Sequence, residues 1–370
     1  MMTATILVAV GSVAIYQQST SAAPQPASRP IRDAPYSTPT RPQPSPSPSA
    51  SPTRPIQVIR LAAPILEADT GWEIVGFGPE GLVRIDPHEG VVTRTRLTMT
   101  RHPYAVIIST GRNFTAITFN ESGGYLVPDG SRPRRLQGLL ADAALAAPAP
   151  DPDHLWAITR PTSQPSDEQV QIRLVDQRGR PTGQRLPVPH SSYGFGLADG
   201  RGYLVLDGIG GTYEAQPDGL RRVTSGTLLA AGPTRWLTTD CDDHGACHLN
   251  VVDRRDGARH QLAGSHPELF QAPGVISPDG RYASILVAGA GAARVMIFDL
   301  ATGRRQLINA PLYPTMQQFQ AWTPDSHRLL VADGQGTLYA VDPATGEARK
   351  IEASLPPIHA LVIRSTLSRP

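Results

Sequence analysis

Two stretches near the end of the chain repeat one pattern, and this repeat limits the possible folds more than any other feature. The stretches are ISPDGRYASILVAGAGAARVMIFDLATGRR (276–305) and WTPDSHRLLVADGQGTLYAVDPATGEAR (322–349). Each begins with a proline-aspartate turn, continues through an apolar strand and a second strand that ends in aspartate, and then passes through ATG into a third strand. Self-similarity of this kind is the signature of a repeat architecture.

The ending of this unit, two strands joined by a turn, recurs along the whole chain beyond residue 55. An aspartate in each turn can bond its own backbone, and a following glycine tolerates the positive φ that such turns need. Successive turn aspartates are 43, 47, 42, 35, 46 and 43 residues apart. They are Asp86, Asp129, Asp176, Asp218, Asp253, Asp299 and Asp342. The spacing predicts seven units of roughly 45 residues.

An apolar strand lies upstream of each turn, and its first residue is aromatic in six of the seven units. These residues are Trp72, Phe114, Trp156, Tyr203, Trp236 and Tyr282, with Leu329 at the seventh position. A row of aromatic residues can stack on a cofactor, but in a repeat protein such a stripe more often packs between neighbouring units. We interpret these residues as core.

Seven units of about four short strands each predict an all-β fold, a seven-bladed β-propeller with four-stranded blades. The first unit lacks an innermost strand of its own, so we expect the C-terminal segment 355–365 to supply it and close the ring. The segment 56–66 should pair nearby. Only the segment 136–147 is expected to contain a short helical turn. The sequence leaves counts of six or eight blades open.

The two best repeats also resemble those of a known group of proteins. ISPDGRYASILV with VMIFDLATG, and WTPDSHRLLV with LYAVDPATG, are similar to the WD40-like repeats of TolB-type propellers. The resemblance is strongest over 276–349, and the other five units follow the architecture with degenerate motifs. It implies a bacterial extracytoplasmic propeller. Because that group includes scaffolds, sensor domains and non-catalytic domains attached to peptidases, the resemblance does not identify a ligand.

The N-terminal 55 residues differ in composition from the rest of the chain. Residues 1–23 contain the apolar run ILVAVGSVAIY and then small residues, which predicts a signal peptide or a clipped membrane anchor. Residues 24–55 contain eleven prolines and predict a disordered, semi-extended stalk. Residues 56–370 form the propeller. We therefore expect an extracytoplasmic protein, secreted or tethered to the outer face of the cytoplasmic membrane, whose only membrane contact is a retained N-terminal segment.

The charge of the propeller region argues against nucleic acid as a partner. Beyond residue 55 the chain has 30 basic and 31 acidic residues. A region so close to neutrality lacks the positive excess that binds a phosphate backbone. We expect a monomer whose partner is a cell-envelope protein or glycan.

The sequence contains no motif that indicates catalysis, a cofactor or a metal site. The nucleophile motif GxSxG, the zinc motif HExxH, the phosphate loop GxxxxGK[ST] and the dinucleotide motif GxGxxG before a helix are all absent. Cys241 and Cys247, the only cysteines, flank a short loop and predict a disulfide in an exported chain. A zinc site with His244 and His248, or two free thiols, are the alternatives.

One cluster of segments is a candidate recognition surface. The loops that enter the innermost strands of a propeller gather at one mouth of its central channel, and several of them here combine proline with histidine or an aromatic residue. The candidate mouth residues are His102, Tyr104, His190, Tyr193, His266, Phe270 and Tyr313. These side chains would suit a binding surface, although they could also serve only to plug the channel.

We therefore predict a non-catalytic binding or scaffold propeller. The alternative is a propeller enzyme of the lyase, lactonase or hydrolase type with its site in the channel. At least three converging Asp, Glu, Asn or His side chains at the mouth would favour the enzyme, and a lining of Tyr, Pro and Gln would favour binding.

Overall fold

The computed structural model describes most of the chain beyond residue 55. The described residues are 56–66, 71–97, 106–119, 123–159, 171–187, 196–198, 202, 204–208, 210–242, 244, 246–263, 270–288, 293–308, 318–351 and 354–366. Within these ranges the only helix is a 3-10 turn, Gly138–Leu140, and every other regular element is a β-strand. The described part of the chain contains no helix long and apolar enough to cross a membrane.

The strands of these residues form six sheets in which most neighbours are antiparallel and consecutive in sequence. The first sheet has five strands in the order β1-β4-β3-β2-β29. Its strands are β1 (Ile56–Arg60), β2 (Trp72–Gly78), β3 (Gly81–Asp86), β4 (Val91–Thr95) and β29 (Ala360–Ser365). The C-terminal strand β29 pairs with β2 along six residues, and β1 pairs with the outer strand β4. Both ends of the propeller region thus meet in one sheet, as the sequence predicted.

Four further sheets are separate and have four strands each. The second contains β5 (Val106–Thr110), β6 (Phe114–Phe119), β7 (Gly124–Pro128) and β8 (Arg134–Arg135). The third contains β9 (Ala143–Pro148), β10 (His154–Thr159), β11 (Gln171–Asp176) and β12 (Pro181–Pro187). The fourth contains β13 (Gly196–Ala198), β14 (Leu204–Gly208), β15 (Gly211–Gln216) and β16 (Gly219–Thr224). The last in sequence contains β25 (Gln320–Trp322), β26 (Leu329–Ala332), β27 (Leu338–Val341) and β28 (Ala348–Lys350).

The remaining sheet has eight strands in the order β20-β19-β18-β17-β21-β22-β23-β24. These are β17 (Thr227–Ala231), β18 (Arg235–Cys241), β19 (Cys247–Asp253), β20 (Arg259–Gln261), β21 (Phe270–Ile276), β22 (Tyr282–Ala288), β23 (Ala293–Asp299) and β24 (Arg305–Leu307). The described residues thus form an all-β propeller of five separate sheets and this eight-stranded sheet.

The core lies between neighbouring sheets, where each sheet covers the apolar face of the next. Five of the six aromatic residues near the start of the second strands are buried: Trp72, Phe114, Trp156, Trp236 and Tyr282. Leu329, at the seventh position, is also buried. Tyr203 lies outside the described residues. Leu330 and Leu338, for example, pack with Trp72 and Ile74 of the first sheet. The prediction that the aromatic stripe is inter-sheet core is confirmed for the residues that the structure describes.

Five of the seven turn aspartates bond their own turns, as the sequence predicted. The carboxylate of Asp86 accepts hydrogen bonds from the backbone N–H groups of His88 and Glu89 at 3.0 and 2.9 Å. Asp176, Asp253, Asp299 and Asp342 bond their own turns in the same way. Gly303 and Gly346 adopt φ of 73° and 72°, a region that side chains disfavour.

The segment 136–147 contains the short helical turn that the sequence predicted. The 3-10 turn occupies three residues, and the segment then becomes strand β9. The turn packs into the interface between the second and third sheets, where Leu140 is completely buried. Pairing of β9 with β10 determines the conformation of the alanines that follow.

Candidate functional site

The predicted mouth residues are almost all outside the described residues. His102, Tyr104, His190, Tyr193, His266 and Tyr313 belong to segments that the structure does not describe. Phe270 is the first residue of β21, and its side chain is also outside the description. Whether these side chains converge therefore stays a prediction.

Gln318 lies two positions before β25, and its side chain contacts the innermost strand β5. Its side-chain oxygen accepts a hydrogen bond from the N–H of Ile108 at 2.5 Å, and its side-chain nitrogen donates to the C=O of Ile108 at 3.1 Å. The backbone C=O of Gln318 accepts a hydrogen bond from the N–H of Leu361 at 2.6 Å. One residue thus connects the innermost strands β5 and β29 with the segment that leads into β25.

This arrangement follows from the needs of an innermost strand. The edge of such a strand that faces the axis carries N–H and C=O groups without a neighbouring strand, and buried backbone groups need partners. The amide of Gln318 presents one acceptor and one donor, so it can pair with Ile108 as a neighbouring strand would. Gln318 belongs to the segment PTMQQFQ, which contains two other glutamines, and nothing local in the sequence distinguishes Gln318 from them.

The innermost strands on another side of the ring bond each other directly. β17 and β21 run parallel and are paired at two positions, Ala230 with Gly274 and Ala231 with Val275. A Cβ atom on Gly274 would come within 1.9 Å of the carbonyl oxygen of Ser284 in β22, so this position requires glycine. The innermost strands β17 and β21 thus contact each other through their backbones.

The disulfide between Cys241 and Cys247 is present, which confirms the sequence prediction. The two cysteines are partners in the β18–β19 register and close an exposed hairpin loop. Asp242 accepts hydrogen bonds from the N–H groups of His244 and Ala246, both at 2.9 Å. Because both sulfur atoms are in the disulfide, they are not available as thiolate ligands for the zinc site considered from the sequence.

A partly buried ionic cluster joins the first two sheets. Arg364 of β29 contacts Glu73 of β2 and, through both terminal nitrogens, the carboxylate of Asp129. Arg84 of β3 also contacts Asp129. Burial raises the pKa of Glu73 above its ordinary value of 4.5, although the positive charges of Arg364 and Arg84 oppose this effect. The two arginines and two carboxylates balance in charge, so the cluster is suited to holding sheets together.

A second buried cluster joins the fourth sheet to β19. Glu214 is 1% exposed and contacts Arg254, which is 5% exposed. Arg221 donates to Glu214 at 2.7 Å and Gln216 donates to it at 2.8 Å. Burial acts to raise the pKa of Glu214, but the hydrogen bond from Gln216 and the charges of Arg254 and Arg221 together lower it below 4.5. A carboxylate held ionised by three donors is a poor proton donor or acceptor near neutral pH.

The described surface contains a small cavity between the β21–β24 and β25–β28 strands. Its volume is about 70 Å³, and its lining includes Arg281, Asp299, Arg304 and Pro343. Sites for small molecules usually measure about 300–1,000 Å³. The cavity can accept a few water molecules and is too small for a typical substrate.

The described residues bring together no set of groups that we can assign to acid–base catalysis. They contain no group of three or more His, Cys, Asp or Glu side chains placed to hold a metal ion. Of the buried carboxylates in the described residues, Glu214 is paired with Arg254, and Asp333 accepts hydrogen bonds from backbone N–H groups of its own turn. The half-buried Glu73 is paired with Arg364, and the side chain that bonds the innermost strand β5 is the neutral amide of Gln318. The sequence did not single out Gln318, Glu73 or Glu214.

Comparisons with known proteins show a shared fold. No family model and no curated protein sequence matches the chain. A protein of unknown function from Desulfotomaculum acetoxidans has a similar structure, with a TM-score of 0.50, 11% identity, and coverage of 80% of this chain and 99% of that one. TolB from Acinetobacter baumannii is similar over 80% of this chain and 66% of its own, just under two thirds, with a TM-score of 0.44 and 14% identity.

An oligogalacturonate lyase in complex with manganese is similar over 75% of this chain and 87% of its own, with a TM-score of 0.48 and 13% identity. Identities this low carry no information on function. The sheets described above make an all-β propeller, and the structural similarity to the protein from Desulfotomaculum acetoxidans agrees with this fold.

Proposed function

We propose that the protein is an extracytoplasmic, non-catalytic binding or scaffold propeller that recognises a cell-envelope protein or glycan. The observation that carries the proposal is the amide of Gln318, which bonds both backbone groups of Ile108 on the innermost strand β5. A mouth lined by tyrosine, proline and glutamine is expected of a binding propeller, whereas converging carboxylates or histidines are expected of an enzyme. A neutral amide whose donor and acceptor are both engaged cannot act as a general acid or base.

The proposal includes seven blades. The eight-stranded sheet divides into β17–β20 and β21–β24, each ordered from the inside outward like the other sheets. Only two parallel residue pairs join the halves, whereas β18 and β19 share seven antiparallel pairs. If each half is counted as one blade, the ring has seven blades, namely the five separate sheets and these two halves.

We further propose the domain organisation expected from the sequence: a signal peptide or membrane anchor over 1–23, a stalk over 24–55 and the propeller over 56–370. The disulfide between Cys241 and Cys247 supports an oxidising compartment outside the cytoplasm. In the tethered form, the stalk would carry the propeller away from the outer face of the cytoplasmic membrane.

The binding surface in this proposal is the mouth formed by the predicted histidine, tyrosine and phenylalanine side chains. Gln318 directly follows the segment that contains Tyr313, and the Ile108 backbone that it bonds follows the segment that contains His102 and Tyr104. Two of the predicted mouth segments therefore lead into strands that one side chain connects, which supports their convergence.

Site-specific photo-crosslinking in living cells tests this surface. A photoreactive amino acid at Tyr104, Tyr193 or Tyr313 of the full-length protein should give one shared crosslinked product of defined mass. The control position is Leu307, a residue of β24 that is 43% exposed. Mass spectrometry and muramidase digestion of the product distinguish a protein partner from a glycan.

Two results would count against the proposal. Equal crosslinking from Leu307 would show that the mouth is not the binding surface. Turnover of an envelope glycan or ester by the purified chain, abolished by alanine at His102, His190 and His266, would establish the enzymatic alternative.

A further inference from the structure

Two arginines face each other on the outer strands of the third sheet. Arg173 of β11 and Arg185 of β12 are direct partners in the antiparallel register. Side chains at such positions have Cβ atoms about 4.5–5.5 Å apart and lie on the same face, and like charges placed there destabilise a sheet. A negative charge close to both guanidinium groups would offset this repulsion.

The surrounding strands do not supply this charge. On its other side Arg173 pairs with Ala157 of β10, and its neighbours on the same face of β11 are Gln171 and Val175. These three residues are neutral. Within the described ranges, neither guanidinium group forms an ion pair or a hydrogen bond.

Other sheets place a tyrosine, not a second basic residue, opposite a basic residue of their outermost strand. Examples are Tyr125 with Arg135 in the second sheet, Tyr213 with Arg222 in the fourth and Tyr339 with Lys350 in the β25–β28 sheet. The guanidinium carbon of Arg135 lies 4.5 Å from the ring centroid of Tyr125, a favourable cation–π contact. The third sheet pairs two arginines across the same two strands, Arg173 with Arg185, so this pair is repulsive where the tyrosine pairs are not.

We propose that Arg173 and Arg185 form a binding site for a phosphate group, which both guanidinium groups contact together. A guanidinium group is planar and presents its N–H donors as a fork that matches two oxygens of a phosphate. Arg185 is exposed and Arg173 is half-buried, so a phosphate carried by a larger molecule can approach from solvent. The site lies on outer strands, and it does not depend on the proposed function of the mouth.

Thermal unfolding of the full-length protein tests the site. Inorganic phosphate at millimolar concentration, compared with chloride at the same ionic strength, should raise the unfolding midpoint by about 2 °C or more because it binds the folded state. Arg173→Tyr and Arg185→Gln should each lose this shift. Arg222→Gln, which removes an exposed arginine that lies opposite Tyr213 in the fourth sheet, should retain it.

The variants also report on the repulsion itself. Because Arg173→Tyr recreates the tyrosine–arginine pair of the other sheets, we expect it to unfold at a higher temperature than the parent chain in phosphate-free buffer. A phosphate response that survives in Arg173→Tyr and Arg185→Gln, or that disappears in Arg222→Gln, would overturn the proposal.

The competing explanation is that carboxylates of the chain itself neutralise Arg173 and Arg185. Asp167 and Glu168 shortly precede β11 in sequence and lie outside the described residues. If the double substitution Asp167→Asn and Glu168→Gln lowers the midpoint in phosphate-free buffer while phosphate has no effect on the parent chain, the arginines are paired internally and the proposed site is wrong.

Three probes distinguish the source of the phosphate, and each is measured on the parent chain and on the Arg173→Tyr variant. Polyphosphate that binds at least tenfold more tightly per molecule than inorganic phosphate indicates a phosphate-bearing polymer. Sedimentation with phosphatidylglycerol vesicles but not with phosphatidylcholine vesicles indicates a lipid headgroup. A response to inorganic phosphate alone indicates the free ion. Each result supports the site only if Arg173→Tyr abolishes it.

Discussion

Arg364 of the C-terminal strand holds Asp129 of the second sheet through two parallel contacts, Nη1 to Oδ1 at 3.0 Å and Nη2 to Oδ2 at 2.9 Å. The residues are 235 positions apart in sequence. Bidentate arginine–carboxylate pairs are among the stronger polar contacts in proteins. Because β29 also pairs with β2 in the first sheet, this contact ties the strand that closes the ring to the neighbouring sheet.

Removal of the Arg364 side chain should lower the free energy of unfolding. Arg364→Leu leaves Glu73 and Asp129 with one arginine between them, and loss of one partner from a buried ion pair typically costs about 3–5 kcal/mol. Asp129 is 36% exposed, so we expect the lower end, about 3 kcal/mol, in the free energy of unfolding measured with urea. The control is Arg328→Leu, which breaks an exposed pair with Asp342 at 2.9 Å and should cost less than about 1 kcal/mol. Equal losses in the two variants would show that the cluster does not stabilise the ring closure.

The two buried glutamates should respond to pH with opposite signs. The pKa of Glu73 is raised above 4.5 in the folded protein, mainly by burial, so the folded state holds its proton more tightly than the unfolded state. Its contribution to stability is then greatest below pH 4.5 and is lost as the pH rises through the folded-state pKa. The free energy of unfolding of the parent chain relative to Glu73→Gln should fall as the pH rises across that window.

Glu214 provides the matched comparison. Burial opposes ionisation, but Gln216, Arg254 and Arg221 outweigh it and lower the pKa below 4.5. Its contribution is present above pH 4.5 and is lost as the pH falls through the folded-state pKa. The stability of the parent chain relative to Glu214→Gln should therefore decrease on acidification. Urea unfolding of both variants between pH 3 and pH 7 checks the pair, and slopes of the same sign would contradict the assignment.

Loss of the disulfide should weaken the protein modestly. The sulfurs close a short loop, and the chain-entropy relation gives about 2 kcal/mol for a loop of this size. The double variant Cys241→Ser and Cys247→Ser should show this loss in free energy of unfolding relative to the oxidised parent. Reductant should destabilise the parent by a similar amount and leave the double variant unchanged. A variant as stable as the oxidised parent would mean that the bond restricts only the hairpin.

Gln318 should matter for the strands at the axis. Gln318→Leu leaves the N–H and C=O of Ile108 without the side-chain partner that they have in the parent chain, and an unpaired buried polar group costs about 1–3 kcal/mol. We expect a loss of about 2 kcal/mol and faster hydrogen exchange of the Ile108 amide. Gln57→Leu, at an exposed position of β1, is the control. If Ile108 exchanges at the same rate in both variants, another group satisfies its backbone.

Local patterns in the sequence were sufficient for much of the fold. The aromatic stripe predicted buried positions such as Trp156 and Trp236, because a residue at the same register of each repeat meets the same neighbouring sheet. The unpaired first unit predicted the role of the C-terminal strand. The two cysteines, six residues apart, predicted their own bond. Each inference needed only periodicity, turn chemistry or short separation.

The candidate site depended on contacts that no local pattern shows. Asp129 has the same sequence context as the other turn aspartates, yet its carboxylate contacts Arg84 and Arg364 from the first sheet. Gln318 resembles the glutamines beside it, and only the approach of β5 and β29 gives its amide a partner. In the sequence nothing distinguishes Arg173 from an ordinary surface arginine, and only the register of β11 and β12 places Arg185 opposite it.

The sequence alone thus determined an all-β repeat, its turns, its inter-sheet core and its disulfide, because these depend on residues that are close in the chain or repeated at a regular period. The tertiary structure decided which charges meet, which polar group occupies the axis and which arginines face each other. Those outcomes depend on how twisted sheets are placed side by side, and residues more than 200 positions apart then become neighbours.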